Sequence, residues 1–173
     1  DAKCILNDGT SYFFEFKYTK KGSTLEDYEQ ARVLFDLIRL RSIEESSKKI
    51  FIMCGKSDEF EMTFKNFDKN KSINLNNQKK KNGASPLPPN YFYQKLFSFD
   101  STDSITRTKK IDLRSTDPDI ISCVDVFVKE YKDKCCENID EFVNKISHIK
   151  TKLEWISPNE APANVGIWSV DVY

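Results

Sequence analysis

Residues 1–24 read DAKCILNDGTSYFFEFKYTKKGST, and this stretch decides the fold. Two apolar runs flank a turn-forming sequence, which predicts a β-hairpin with strands over residues 2–6 and 11–18. Residues 8–10 (DGT) fit a three-residue loop, because Gly9 can adopt the positive φ that such a loop needs. We therefore expect two antiparallel strands joined by a tight turn.

The second of these strands carries two charged residues inside an apolar run. Glu15 and Lys17 are two positions apart in YFFEFKYT, so strand alternation places both side chains on one face. With the predicted loop, Lys3 would face Glu15. Asp1 would face Lys17, and all four would then share that face. Asp8 would lie about 17 Å from Glu15, too far to share a metal ion with it. A two-residue loop would shift the register by one and move Asp1 to the opposite face.

An acid on one strand, with a Glu and a Lys two apart on the next, is the pattern that a magnesium-dependent phosphodiesterase needs. Two carboxylates provide hard oxygen ligands for Mg²⁺, which keeps several waters and accepts the scissile phosphate as a further ligand. An ammonium group can orient the attacking water and offset the charge that develops at phosphorus. Such a site requires no histidine, and the single histidine of this chain, His148, falls near the polar edge of a predicted late helix.

Length and composition bound the class of protein. A chain of 173 residues suits one domain with a substantial core. Lys plus Arg and Asp plus Glu number 27 each, so the net charge neither favours nor opposes nucleic acid as a partner. Five cysteines without a CxxC pair fit a reducing compartment, and we expect Cys4, Cys54 and Cys123 to be small core residues. No membrane-spanning run or signal peptide is visible, which predicts an intracellular protein, cytoplasmic or nuclear.

The remaining sequence predicts further helices and strands. A capping box at Ser23 and Glu26 opens a helix that runs to about residue 46. The run KKIFIMCG at 48–55 is continuously apolar, as in a strand covered on both faces. A half-exposed strand is expected over 59–67 and a flexible loop over 68–90, followed by weaker strands over 91–99 and 108–114. One helix is expected to start at Asp117 and another to run from Asn138 through Ile149, and a strand over 165–173 closes the chain. Within the loop, QKKKN is either a solvated charge run or a phosphate-contacting arm.

These features resemble the PD-(D/E)xK nuclease superfamily, which has the restriction-endonuclease-like fold. The matching pattern is D, thirteen residues, then E-F-K, in a strand–turn–strand arrangement over residues 1–17. The helix in DYEQARVLFDLIRLRS and the buried strand in KKIFIMCG follow in the order of that family's common core. The resemblance covers roughly residues 1–65, with VGIWSVDVY as a looser addition.

The resemblance implies an α/β fold in which a mixed sheet is flanked by helices, forming a single nuclease-like domain over residues 1–173. It places Asp1 as the first acid, Glu15 as the second acid and Lys17 as the catalytic lysine. Asp1 and Glu15 would bind Mg²⁺ or Mn²⁺, and Gln30 on the following helix would support the site. The implied activity is a metal-dependent endonuclease that hydrolyses DNA phosphodiester bonds, with RNA as the alternative substrate.

The same resemblance bears on what surrounds the domain. The helix that usually precedes the motif in that family is missing, so we expect the chain to be part of a longer protein. A homodimer and additional domains upstream of Asp1 are both open, and no membrane partner is implied.

Two alternatives assign the charged residues a different role. The aromatic residues between them could face the core, which would leave Glu15 and Lys17 on the solvent side and pair Lys3 with Glu15 across the hairpin. In the second alternative, a non-catalytic member of the same fold binds nucleic acid or a protein partner and keeps the strand charges for structure. Burial of the charges in a cleft separates the first alternative from a functional site.

The predicted hairpin yields a test of which acid belongs to the site. Asp1→Asn should weaken Mn²⁺ binding measured by calorimetry, because it removes an anionic ligand. Asp8→Asn is the matched control and should leave the affinity nearly unchanged, since Asn also suits a turn. Equal losses in the two variants would show that Asp1 is the wrong acid.

Overall fold

A computed structural model describes the chain at residues 1–19, 27–43, 46–57, 59–60, 92–98, 107–135, 148–157 and 163–171. Within these ranges the fold is mixed α/β, with a six-stranded open sheet and three helices. The elements are β1 (Ala2–Ile5), β2 (Ser11–Tyr18), α1 (Asp27–Arg41), β3 (Lys48–Lys56), α2 (Phe92–Leu96), β4 (Thr108–Asp112), α3 (Pro118–Cys135), β5 (His148–Ile156) and β6 (Ala163–Asp171). The strands lie in the order β1-β2-β3-β6-β5-β4.

The hairpin turn is one residue earlier than predicted. The backbone N–H of Gly9 donates to the carbonyl of Leu6 at 3.0 Å, and the N–H of Leu6 donates to the carbonyl of Thr10 at 2.9 Å. Gly9 has a φ of 85°, as expected for the left-handed residue that closes a three-residue hairpin loop. The loop is therefore residues 7–9, and the predicted pairing of Lys3 with Glu15 is wrong, because Lys3 pairs with Phe13.

The strand after α1 lies parallel to β2, because the helix carries the chain back across the sheet. Glu15 pairs with Phe51 of β3, and Phe51 pairs with Trp168 of β6. These three side chains therefore share one face of the sheet, and all three are buried. We call this the helix face.

The described helices pack on this face or on each other. The ring of Phe97, directly after α2, stacks on Phe51 with centroids 5.3 Å apart and lies 4.8 Å from the ring of Trp168. α3 packs on α1, where the rings of Phe35 and Tyr131 stack at 4.4 Å. The apolar face of α1 supplies a large part of the core, namely Ala31, Val33, Leu34, Leu37, Ile38 and Leu40. Together they form one continuous core between the sheet and the helices.

Several predicted elements are confirmed: both strands of the hairpin, the helix after it, the apolar strand β3, the strand at β4, the helix from Pro118 and the closing strand β6. Two details of these predictions are wrong. α1 ends at Arg41 and not near residue 46, and β3 is buried on one face but only half-buried on the other. The strand predicted over 91–99 is wrong. Tyr93, Leu96 and Phe97 are buried at helical spacing, and the segment forms α2.

Two further expectations need correction. Ser57, Glu59 and Phe60 have helical backbone, so the strand predicted over 59–67 is wrong where its start is described. The helix predicted through Ile149 is wrong where its end is described, because His148 and Ile149 open β5, where Ile149, Thr151 and Leu153 alternate into the core. The predicted loop over 68–90 and the predicted capping residues Ser23 and Asn138 lie outside the described residues.

The first three cysteines differ in burial. Cys123 is buried as expected, Cys54 is half-buried, and Cys4 is exposed, so the core assignment of Cys4 is wrong. Cys4 lies on β1, which is exposed along its whole length.

Across the described ranges, none of the helices is both long and apolar enough to traverse a lipid bilayer.

The packing at β6 gives a stability prediction. A Cβ atom at Gly166 would clash with the six-membered ring of Trp168, whose indole N–H is fixed by donating to the carbonyl of Ser98 at 2.9 Å. Gly166→Ala should lower the free energy of unfolding by about 1–3 kcal/mol, because the buried ring has no free space to move into. Urea unfolding measures this loss.

The matched control is Ser169→Ala on the other face of the same strand, which should change stability by about 0.5 kcal/mol or less. An unchanged urea midpoint for Gly166→Ala would show that the Trp168 ring is not held in this position.

Candidate functional site

Glu15 is the buried carboxylate of β2, with only 6% of its surface exposed. Its Oε2 atom accepts a hydrogen bond from Nη2 of Arg39, which lies near the end of α1. Burial raises the pKa of Glu15 above its ordinary value, because desolvation disfavours the charged carboxylate. The hydrogen bond from Arg39 acts in the opposite direction but does not cancel this effect.

Asp1 converges on the same guanidinium group. Its Oδ2 atom lies 2.6 Å from Nη2 of Arg39, the nitrogen that also contacts Glu15. The two carboxylates are therefore held side by side by one cation. Both line an open cleft of about 310 Å³ together with Lys3, Phe13 and Arg39.

Lys17 follows Glu15 on the helix face of β2 and has a different partner. Its Nζ atom lies 3.0 Å from Oε2 of Glu29 on α1. Burial acts to raise the pKa of Glu29, yet the pKa is lowered overall, because Lys17 donates a hydrogen bond to the carboxylate and Arg32 adds positive charge. Lys17 is thus fixed against the first turn of the helix while Glu15 contacts the last.

A third carboxylate, Asp36, lies on α1 between these two contacts. Burial raises its pKa, and the positive charges of Lys17, Arg39 and Arg32 offset this only in part. Asp36 also raises the pKa of Glu15 through charge repulsion. The interface of β2 and α1 is therefore a layer of paired charges rather than an apolar contact.

The structure brings Asp1, Glu15 and Lys17 to the interface of the hairpin and α1, but they do not all share one ion-pair partner. Asp1 and Glu15 meet at Arg39, whereas Lys17 meets Glu29. Gln30 is buried on α1, while the ion pairs to the strand come from its neighbours on that helix. Asp8 lies in the exposed turn, where it accepts a hydrogen bond from the N–H of Thr10 at 2.8 Å.

Burial excludes the alternative in which the strand charges face solvent. Glu15 is buried and the side chain of Lys17 is 10% exposed, whereas Phe16 between them is 52% exposed. The charged residues of β2 and Phe13 face the helix, whereas Tyr12, Phe14, Phe16 and Tyr18 face away from it. His148 is also displaced from its predicted place, since it begins β5 rather than lying on a helix.

The charged residues of α1 are the part of the site that the sequence reasoning missed. Glu29, Arg32, Asp36 and Arg39 recur at intervals of three or four residues, which places them along one side of the helix. Such a row is usually assigned to solvent. The sequence does contain a signal for these residues. The strand directly before the helix has two charged residues in an apolar run, and such charges need partners of opposite charge nearby.

The carboxylates of the site bear on whether it can hold a metal ion. The described residues contain no group of three or more His, Cys, Asp or Glu side chains arranged to hold a metal. Mg²⁺ needs fewer protein ligands, since it is commonly bound through one or two carboxylates and completes its shell with water and phosphate. The converging carboxylates of Asp1 and Glu15 fit that minimum, provided that the guanidinium of Arg39 moves away.

Comparisons of this chain with protein-family models, with curated proteins and with solved structures gave no match.

The raised pKa of Asp36 predicts a pH dependence of stability. The folded protein binds the Asp36 proton more tightly than the unfolded chain, so this group's contribution to stability falls as pH rises through its folded pKa. Asp36→Asn removes that loss. The variant should therefore gain stability relative to wild type as pH rises above 3.8, the ordinary pKa of an aspartate carboxyl, measured by urea unfolding at a series of pH values.

Asp125→Asn is the matched control, because Asp125 is exposed on α3. Its free energy of unfolding should differ from that of wild type by about 0.5 kcal/mol or less. If the stability difference between Asp36→Asn and wild type did not change with pH, the carboxyl of Asp36 would not be desolvated in the folded protein.

Proposed function

We propose that this chain is a metal-dependent nuclease domain that hydrolyses phosphodiester bonds at the cleft between the hairpin and α1. The observation that carries the proposal is the convergence of Asp1 and Glu15 on a single nitrogen of Arg39 beside an open cleft. A buried carboxylate and an exposed one that share one cation, Glu15 and Asp1, form a place where a divalent cation can substitute for that cation.

The connectivity of the first elements supports the same proposal. A hairpin carries the acid and the Glu-x-Lys sequence, a helix crosses over, and the next strand lies parallel to β2. This order agrees with the restriction-endonuclease-like arrangement that the sequence resembles. We propose that finer fold assignment for the mixed sheet.

Asp1 and Glu15 would hold Mg²⁺ or Mn²⁺ in this proposal. When bound, the metal supplies a polarised phosphate and a more acidic water. The surrounding cations of the chain act on the substrate. Lys3 lines the cleft and can donate to a phosphate oxygen, and Arg39 can do so once the carboxylates no longer bind it.

Lys17 has the role of a positioned ammonium in the same proposal. It projects from the face that carries Glu15, and Glu29 holds it at 3.0 Å. An ammonium fixed in this way can orient water and stabilise negative charge that develops on the phosphate. DNA is the proposed substrate, with RNA as the alternative, in line with the resemblance.

One observation favours a second candidate, a non-catalytic module of the same fold that binds nucleic acid or protein. Arg39 pairs with both carboxylates and Glu29 pairs with Lys17, so each predicted catalytic charge already has a partner within the chain. In this candidate the charge layer fixes α1 on β2 and has no chemical role.

The decisive test is cleavage of DNA. With Mg²⁺ or Mn²⁺ the protein, assayed in its full natural length, should cleave duplex or single-stranded DNA, and EDTA should abolish the reaction. Glu15→Gln and Lys17→Ala should each lower the rate by about two to three orders of magnitude, because a group that stabilises the transition state contributes about 3–4 kcal/mol.

Matched controls are Glu154→Gln on β5 and Lys129→Ala on α3, both at exposed positions, and these variants should cleave at the wild-type rate. Arg39→Gln adds a second readout, since loss of the competing cation should tighten Mn²⁺ binding. If the folded, metal-loaded protein cleaves neither DNA nor RNA, the nuclease proposal is wrong and the non-catalytic module is favoured. Full activity in Glu15→Gln would place the chemistry elsewhere.

A further inference from the structure

The face of the sheet opposite the helix face carries a row of apolar side chains, and we call it the open face. Four paired residues form the row from β2 to β5: Phe16, Ile52, Ile167 and Trp155. Phe16 is 52% exposed and Trp155 is 50% exposed, while the isoleucines between them are half-buried. The two rings are three strand spacings apart, about 14 Å.

The aromatic residues of β2 extend this row along the strand. The rings of Tyr12 and Phe14 are stacked at 6.1 Å with an interplanar angle of 13°, and those of Phe14 and Phe16 at 6.2 Å with an angle of 25°. Tyr18 continues the same face and is exposed. The open face therefore presents several nearly parallel rings, which is unusual for a surface without a ligand.

Lysines on the same face lie close to these rings. Lys48 pairs directly with Tyr12, and Lys152 lies in the row of Phe14, two residues before the bulge that leads to Trp155. Lys110 is exposed on the same face of the edge strand β4, where it pairs with Lys150. A carboxylate, Glu154, lies 3.8 Å from Lys152.

We propose that the open face binds single-stranded nucleic acid, with bases stacked on Phe16 and Trp155 and phosphates contacted by Lys48, Lys110 and Lys152. Aromatic rings combined with a basic surface recognise unpaired bases, because every base has a flat apolar face and every nucleotide carries an anionic phosphate. Duplex DNA is disfavoured, since pairing keeps the base faces stacked inside the helix. The lysines favour this polyanion over an uncharged apolar partner.

This site goes beyond the proposed nuclease cleft and does not depend on it. The alternation of β2 separates the two: Glu15 and Lys17 point to the helix face, while Phe16 between them points to the open face. Binding at the open face requires neither a metal ion nor the carboxylates.

The test uses the fluorescence of the two tryptophans. Trp155 is half-exposed, whereas Trp168 is fully buried. Titration of the Glu15→Gln protein in EDTA with short oligothymidylate and oligouridylate should quench the emission of Trp155, because stacked bases quench an indole ring. Trp155→Phe should remove the quenching, and raising the salt concentration should weaken binding.

Fluorescence anisotropy of a labelled oligothymidylate then gives the affinity of each variant. Phe16→Ala should weaken binding about tenfold through loss of one stacked base. Lys152→Gln should weaken it less and should reduce its salt dependence. Tyr28→Ala is the matched control, since Tyr28 is an exposed aromatic residue on α1, and it should bind as wild type does.

Three outcomes would overturn the proposal. One is equal affinity of Phe16→Ala and Tyr28→Ala, and another is duplex bound as tightly as single strand. The third is a wild-type dimer that Phe16→Ala dissociates without any effect on oligonucleotides, which would assign the open face to contact between two copies. The binding assays contain EDTA and the Glu15→Gln protein, so they do not depend on cleavage. If the nuclease proposal fails, they still test binding of nucleic acid at the open face.

Discussion

The ion pairs between β2 and α1 constrain the rest of the structure. Two charged strand residues are buried at this interface, and a buried charge is tolerated only with a partner. Arg39 near the end of the helix and Glu29 near its start meet Glu15 and Lys17 respectively. Two contacts at opposite ends of one helix fix both its position along the strand and its direction, which in turn sets the parallel pairing of β3 with β2.

Buried ion pairs contribute more to this specificity than to stability. Replacing a well-paired buried pair by apolar residues is often neutral or stabilising, whereas removal of one partner is costly. The raised pKa values of Glu15 and Asp36 show that desolvation exceeds the compensation from neighbouring cations. The pKa of Glu29, in contrast, is lowered by its contacts with Lys17 and Arg32. The layer therefore sets a unique helix position, and the proposed nuclease site would also use it for chemistry.

The predictable part of the fold is the part encoded by local pattern. The hairpin, α1, β3 and β6 follow from turn residues, helical spacing and apolar runs. The segment at α2 was misassigned because five residues are too short for a helical period to be distinct. The sequence does not predict β5, because its alternation begins at His148, inside the helix predicted over 138–149, so local signals give no boundary. The partners of the strand charges depend on tertiary contact, which no single-sequence pattern contains.

The register of the hairpin shows why the composition of a face can be predicted better than its contacts. Moving the three-residue loop by one position shifts the pairing by two residues, and a shift of two preserves which side chains share a face. Asp1, Glu15 and Lys17 therefore remain on the helix face although Asp1 lies nearer Glu15 than predicted. The same alternation places Phe14 and Phe16 on the other side. A strand that is apolar by composition thus separates a charged surface from an aromatic one, and the helix covers the charged surface.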